Sequence, residues 1–539
     1  MKIIPICLCV GVALLGSGAC GNAENDRRGT GGASSGAPPS TNSGSGGDSG
    51  ATDSAGDAGS GNNGGTGSQA GSGATTNDAG TGGMELGGAP SDTGPRQCTP
   101  GDTTTISGVV FDPAGANPLY NVLVYVLDPS SPLPDLSSVP VGCGCTQLLP
   151  AKVLAKSAPT DASGHFEIPC APSGTVSLVV QTGKWRRQYD GVEVKLNQPN
   201  VVPNLRLPAN SNEGSLPNIA ISTGGNDSFE CLPLRMGVSA SEYVAGSASD
   251  GHIHIYTGRR GATPAQGAVE SKSALWDSQA HLNEHDLVIL SCEGEETTGG
   301  ATGTRVNATA QQYLQNYANS GGRVLATHYQ YAWFNTGPFA TGPNSLATWT
   351  AGGGLVDDTQ SFPGELAPPL SSGAAFPAGA AFAQWLKLVG VLVGNQMPLW
   401  FPHSNVTALN QPPSREWLRL SASSPQAPSA PQLFTADMPV GATGSAVCGR
   451  VAYSSLHVTG GPNMNAPGVP VDYPPATGGS GSGGGTGFPG FPPTGQAQGG
   501  IVPLGCARRP LTPQEAALEF MFFDLSSCLV PIADEPGQP

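Results

Sequence analysis

The chain has 539 residues and a formal charge of -16, with only 12% charged residues against 79 Gly and 50 Pro. That length suits two or three folded domains. The acidic balance argues against nucleic acid as a partner, because phosphate binding needs clustered Lys and Arg.

Met1-Lys2 is a minimal positive start, and Ile3 to Leu15 is an almost unbroken apolar run that ends at Ser17-Gly18-Ala19-Cys20. Charge, a short greasy stretch and small residues are the layout of a secretory signal over residues 1–19. The run is too short to span a bilayer stably. With Cys20 directly after the small residues, the segment resembles a bacterial lipoprotein signal. That resemblance implies lipidation of Cys20 and a membrane partner through its acyl chains, at the outer membrane or cell surface. Ser17 stands where that family prefers Leu, and ordinary cleavage after Ala19 would instead give a secreted chain.

Residues 20–97 are almost entirely Gly, Ser, Thr, Ala, Asn and Asp. Such a segment has too little apolar surface to repay ordering, so a disordered tether is expected, with an r.m.s. span of about 50 Å. Of twelve cysteines, nine follow Cys20. An exported chain bridges most of them, and an odd number leaves one over. Residues 98–208 hold four and residues 214–530 five, so pairing within each stretch leaves the free thiol in the second. Cys143 and Cys145 are too close to bridge each other and are expected to pair elsewhere. Cys448 with Cys506 or Cys528 is the expected staple at the far end, and Cys231 with Cys292 is another candidate pair.

Residues 98–208 read as short strands. Thr104 to Phe111 ends in Asp112-Pro113-Ala114-Gly115, and Tyr120 to Leu127 alternates. His165 to Ile168 and Val176 to Val180 follow, which indicates a small antiparallel β-sandwich. Lys184-Trp185-Arg186-Arg187 reads as a solvated strand or hairpin face. Gly108-Val109-Val110 with Asp112, Pro118 to Val122, Thr160-Asp161 to Phe166 and Pro172-Ser173-Gly174 together resemble a carboxypeptidase regulatory-like, transthyretin-like domain. That resemblance implies an accessory module without peptidase activity.

Residues 214–530 alternate strands and helices. Leu216 to Thr223, His252 to Tyr256, Asp286 to Cys292, Arg323 to His328 and Gly449 to His457 are expected strands. Phe229 to Met236, Val306 to Asn319 and Ala380 to Val393 are expected helices. Thr512-Pro513-Gln514-Glu515 is a capping box that opens a last helix. Residues 335–445 and 460–505 read as long Gly/Pro-rich insertions. The whole is then a multidomain chain: a disordered Gly/Ser linker, a small antiparallel β-sandwich, and an α/β three-layer parallel-sheet domain of flavodoxin or amidotransferase type. Asp286 to Leu290, Asn319 to His328 and Gly449 to His457 resemble the class I glutamine amidotransferase-like fold, in its trehalose-utilisation-like branch. That fold implies a nucleophilic Cys at the elbow after the Gly-Gly strand. Here the elbow reads Thr327-His328-Tyr329, which argues against glutaminase chemistry.

In an open parallel sheet, ligands bind at the carboxyl ends of strands. The residues expected there are Gly224, Gly225, Asp227, Cys292, Glu293, Glu295, Glu296, His328 and His457. Cys292, Glu293 and His328 are the candidate catalytic set, a nucleophile with bases. His252, His254 and His457 are the candidate metal ligands; the residue types allow a divalent ion but fix no cofactor. Trp185, Tyr329, Tyr331, Trp333 and Phe334 are a candidate stacking surface. The function expected is that of a cell-envelope-anchored binding or surface-assembly protein, with a glycan or an envelope protein as partner. The alternative is a secreted hydrolase or sugar-processing enzyme with a His/Glu site.

Overall fold

The structure is a computed structural model. It describes residues 99–529 apart from 262, 263, 265, 295–305, 351–353, 355, 357–359, 368–376, 459–500, 504, 505 and 507. The signal segment, Cys20, the tether and Cys98, together with Glu295 and Glu296, lie outside the described residues. Where the chain is described, the architecture is multidomain and sheet-rich, with mixed strand directions.

The turn residues of the first lobe do the work their chemistry suggests. Asp112 Oδ1 accepts from the Ala116 N–H at 2.7 Å, and Asp161 Oδ1 accepts from Ser163 and His165 N–H groups at 2.8 and 3.0 Å. Thr160 Oγ1 accepts from the Val122 N–H and donates to the Leu119 carbonyl, which ties two turns together. Between these turns run β1 (Thr105–Phe111), β2 (Leu123–Leu127), β3 (Val153–Lys156), β4 (His165–Pro169), β5 (Gly174–Thr182), β6 (Trp185–Val194), β7 (Pro199–Arg206) and β8 (Gly214–Ser215). They form a three-stranded sheet, β4-β1-β7, and a five-stranded one, β3-β2-β5-β6-β8. Alternate residues of β1 and β4, Ile106, Val110, Phe166 and Ile168, share a core with Val124, Val126, Leu178 and Val180 from the other sheet. Two corrections follow. The pair β1–β7 is parallel, because the chain enters β7 from the other sheet and not through a hairpin. The lobe also runs past residue 208, since β8 pairs with β6.

The second lobe is built on one ten-stranded sheet. Its strands are β9 (Ile219–Ser222), β10 (Tyr243–Ala245), β11 (Ile253–Tyr256), β12 (Leu287–Leu290), β13 (Arg323–Thr327), β15 (Ser361–Leu366), β16 (Gln396–Trp400), β18 (Ser414–Leu420), β19 (Pro431–Met438) and β20 (Gly449–Ser454). A separate pair joins β14 (Ala347–Trp349) to β17 (Val406–Leu409). The order is β10-β11-β9-β12-β13-β20-β19-β18-β15-β16. The six strands from β10 to β20 are parallel, and every later pairing is antiparallel. The expected parallel sheet is therefore only part of a mixed one. Much of the expected insertion at 335–445 supplies strands that extend it. β19 is buried along its whole length, yet it carries Gln432, Thr435 and Asp437, which mask an apolar pattern.

The helices are α1 (Leu232–Arg235), α2 (Lys272–Leu275), α3 (Gln279–Asn283), α4 (Ala308–Asn319), α5 (Pro377–Leu388) and α6 (Pro513–Ser526). Successive sheet residues point to opposite faces. Ile219, Ile221, Leu287, Ile289 and Leu325 join one core with Leu518, Met521 and Phe522 of α6. Ala220, Val288, Leu290, Val324 and Val451 join a second core with Ala310, Leu314 and Tyr317 of α4. The capping box of α6 forms as expected: Thr512 Oγ1 accepts from the Glu515 N–H, and Glu515 accepts from the Thr512 N–H at 2.9 Å. Residues Gln514 to Leu525 are buried all round, not along one stripe.

That full burial arises because α6 lies between the lobes. Trp185 packs on Phe523 with ring centroids 5.8 Å apart, and Tyr120 stacks on Phe520. Gly183, at φ +53°, turns the β5–β6 hairpin against α6, where an added Cβ would stand 1.9 Å from the Ser526 carbonyl oxygen. The basic cluster expected to be solvated therefore sits at this junction. Trp185 is fully buried, Arg186 nearly so, and Lys184 pairs with Asp286 at 2.7 Å. Disulfides Cys143–Cys448 and Cys145–Cys528 fasten the lobes, and Cys231–Cys506 closes the second lobe. Cys143 and Cys145 each pair elsewhere, as expected. The expected far-end staple among Cys448, Cys506 and Cys528 does not form, nor does Cys231–Cys292. Cys170 is disulfide-bonded, and Cys292 is the free cysteine among the described residues.

Candidate metal centre in the second lobe

Four chain segments end at one place. Cys292 follows β12, His328 follows β13, His403 follows β16 and His457 follows β20. All four side chains are buried, none more than 2% exposed. One ligand atom from each of Cys292, His328 and His457 lies within 4.8 Å of the others. The His328 ring centroid is 3.3 Å from that of His403 and 4.1 Å from that of His457.

The backbone beneath is locked. The Cys292 N–H donates to Thr327 Oγ1 at 3.0 Å, and the Thr327 hydroxyl donates to Asp227. The other oxygen of Asp227 accepts from the Val458 N–H at 3.0 Å, which fixes the residue after His457. Gln514 of α6 donates to the His457 carbonyl and accepts from the Trp400 N–H, so one side chain steadies the ends of β20 and β16. His328 holds φ +50° and Phe401 φ +58°, a left-handed backbone that costs of order 1–3 kcal/mol for such residues. The two are joined: His328 Nε2 donates to the Phe401 carbonyl at 3.1 Å. A carbonyl only accepts, so Nε2 carries the proton and Nδ1 presents a lone pair. Nδ1 faces Cys292 Sγ at 3.2 Å. Sγ also receives the Gly294 N–H at 3.4 Å.

Burial sets the charge states. It pushes the Cys292 thiol up, and Asp227 up to about 8. It drives His328 well below its ordinary value, and His403 and His457 down to about 3. The histidines are therefore neutral at physiological pH, the form that ligates metal. Among the described residues, neither ring nitrogen of His457 has a hydrogen-bond partner.

Of the expected catalytic set, Cys292 and His328 meet and Glu293 does not join them. Neighbouring residues in an extended chain point to opposite sides, and Glu293 instead pairs with buried Lys272 of α2, with Nζ to Oε1 at 2.6 Å. Of the expected metal ligands, only His457 is here. His252 precedes β11, at the amino end of the parallel strands, and its Nδ1 lies 2.6 Å from Glu242. His254 lies within β11, where its ring packs edge-on against His285. Gly224 is a packing glycine, since an added Cβ would stand 2.1 Å from the Cys292 carbonyl oxygen; Gly225 backs onto Arg260. The expected stacking surface is mostly interior: Trp185, Tyr331, Trp333 and Phe334 are fully buried, and Tyr329 packs on His403. His403 was missed because it lies in the stretch read as an insertion. Its signal is the alternation of Met397 and Leu399 just before it, which marks a strand.

Neither a family model nor a curated protein matches the chain. Among solved structures, two cytoplasmic proteins of Salmonella typhimurium align at 10% identity. They cover 45% and 53% of this chain and 88% and 86% of their own, with TM-scores of 0.25 and 0.24. A mutant type II cohesin–X-dockerin complex from Acetivibrio cellulolyticus aligns at 12% identity over 27% of this chain and 79% of its own, with a TM-score of 0.13. Likenesses this slight carry no argument about fold or function.

Proposed function

We propose that the chain is an envelope-anchored bacterial lipoprotein whose two fastened lobes bind a protein partner at the cell surface. The observation that carries this reading is the pair of inter-lobe disulfides, Cys143–Cys448 and Cys145–Cys528. Disulfides persist in oxidising compartments, so they are compatible with export. No helix among the described residues is long and apolar enough to cross a membrane, and acylated Cys20 would supply the anchor. Lobes that cannot slide past each other lose little freedom on binding. A protein partner is preferred to a glycan because four of the five candidate stacking residues, Trp185, Tyr331, Trp333 and Phe334, are packed inside.

In this reading the first lobe is a carboxypeptidase regulatory-like accessory module, supported by its two sheets around one core and by the turn roles of Asp112 and Asp161. The second is an amidotransferase-like body, supported by six parallel strands with α4 on one face and α6 on the other. A second reading, a secreted hydrolase, is favoured by one observation: His328 occupies the strained elbow with Nδ1 beside the Cys292 thiol. Against it stand the full burial of that thiol and the commitment of Glu293 to Lys272. The test of anchoring is fractionation with mass spectrometry of the N-terminal peptide. The native protein should sediment with membranes and carry acyl mass on Cys20, and Cys20→Ser should release it. Recovery of unprocessed Met1 from the cytosol with reduced thiols would overturn the reading.

A further inference from the structure

We propose that Cys292, His328 and His457 form a binding site for a zinc-class divalent ion, with Cys292 Sγ and His328 Nδ1 among the ligand atoms. Three independent features point there. The first is convergence: three side chains of ligating type, carried by the carboxyl ends of β12, β13 and β20, bring one ligand atom each within 4.8 Å. Zinc bonds of ~2.0–2.1 Å to nitrogen and ~2.3 Å to sulfur place tetrahedral ligands about 3.3–3.8 Å apart. The 3.2 Å separation of Sγ from Nδ1 is already close to that, and a pair at the 4.8 Å limit needs to tighten by about 1.2–1.5 Å.

The second feature is the orphaned imidazole. His457 is buried, and among the described residues neither of its ring nitrogens has a partner. An unpaired buried polar atom is destabilising, and a metal bond would satisfy one of the two. The third is the support around the ligands. The proton on His328 Nε2 is given to the Phe401 carbonyl, the outer hydrogen bond that commonly orients a metal-bound histidine and fixes its tautomer. The Gly294 N–H points at Sγ, as suits a thiolate. Asp227 lies below Cys292 and, through the Thr327 hydroxyl, holds the backbone that carries the sulfur in place. His403 packs against the His328 ring and helps keep water away. On binding, the ion displaces the Cys292 thiol proton to solvent, the Cys292 sulfur and two neutral imidazoles each donate a lone pair, and no oxidant or reductant is needed.

The donor set selects the class of ion. One sulfur with imidazole nitrogens suits zinc and its neighbours and disfavours Mg²⁺ and Ca²⁺, which want oxygen. The test uses the full exported chain with its disulfides intact. Purified protein should carry about one zinc per chain by elemental mass spectrometry, or take up one on addition of Zn²⁺. Co²⁺ in its place should give a thiolate-to-cobalt charge-transfer band that Cys292→Ser removes. His457→Ala should weaken zinc binding at least ~10-fold, and His252→Ala, remote from the site, should leave it unchanged. Near-ultraviolet circular dichroism would show that each variant is folded. A folded native protein that takes up neither Zn²⁺ nor Co²⁺, or a Cys292→Ser protein that keeps the band, would overturn the assignment.

Discussion

Glu515 illustrates how single residues carry this fold. Burial alone would raise its carboxyl, yet Arg235 and Arg509 hold it down at about 2. The Arg235–Glu515 pair is wholly inside the protein. Removing Glu515 takes an ionic partner from two arginines, one of them wholly buried, so Glu515→Ala should cost about 3–5 kcal/mol in denaturant unfolding. An unchanged midpoint would contradict that. The same residue sets part of the acid response. Its folded value lies below the ordinary 4.5, so its contribution is present above 4.5 and is lost as pH falls through about 2. His403 and His457, down at about 3 from 6.5, act earlier. Between those values the unfolded chain binds protons that the folded one does not, so stability falls as pH drops below 6.5. These two groups pull the thermal midpoint down from about pH 6.5, against the opposite pull of Asp227, raised to about 8; a His457→Phe protein whose midpoint falls with acid as steeply as that of the native chain would count against a neutral buried imidazole.

At the scale of elements, α6 matters most. Its amino end caps itself through Thr512, its second residue Gln514 steadies the ends of β16 and β20, and its body fills the space between the lobes. Thr512→Ala should cost about 1 kcal/mol by loss of the cap. If the proposed metal centre is right, that variant should also bind zinc less tightly, because Gln514 holds the His457 carbonyl. Both changes can be read from urea unfolding and zinc titration of one preparation. The cap was legible in the sequence because Thr-Pro-Gln-Glu satisfies its own backbone locally. So was β12, a continuous apolar run, and β13, which starts directly after a glycine-ended helix. The strands β15 to β19 were not legible. They carry buried Arg415, Glu416, Gln432, Thr435 and Asp437, whose partners come from elsewhere in the fold, such as Arg450 for Asp437 at 2.6 Å.

Across the whole molecule, the inter-lobe disulfides are the strongest constraint on the unfolded chain. Cys143–Cys448 closes a separation of 305 residues, and Cys145–Cys528 one of 383. Replacing Cys143 and Cys448 together by Ser should lower stability by about 2–5 kcal/mol, read as a lower thermal midpoint under non-reducing conditions. A midpoint equal to that of the native chain would mean that the unfolded state is already compact.

By itself the sequence determined the signals that are local: the turns of Asp112 and Asp161, the central parallel strands, the capped last helix, and the expectation that Cys292, His328 and His457 stand at strand ends. Each follows from neighbours in the chain or from a period of two. Tertiary structure alone decided which cysteines join, that four antiparallel strands extend the sheet, that His403 packs into the histidine cluster, and that Glu293, His252 and His254 stay out of it. These depend on which distant segments come to lie side by side, and the energy of a buried side chain is set by such neighbours and not by its position along the chain.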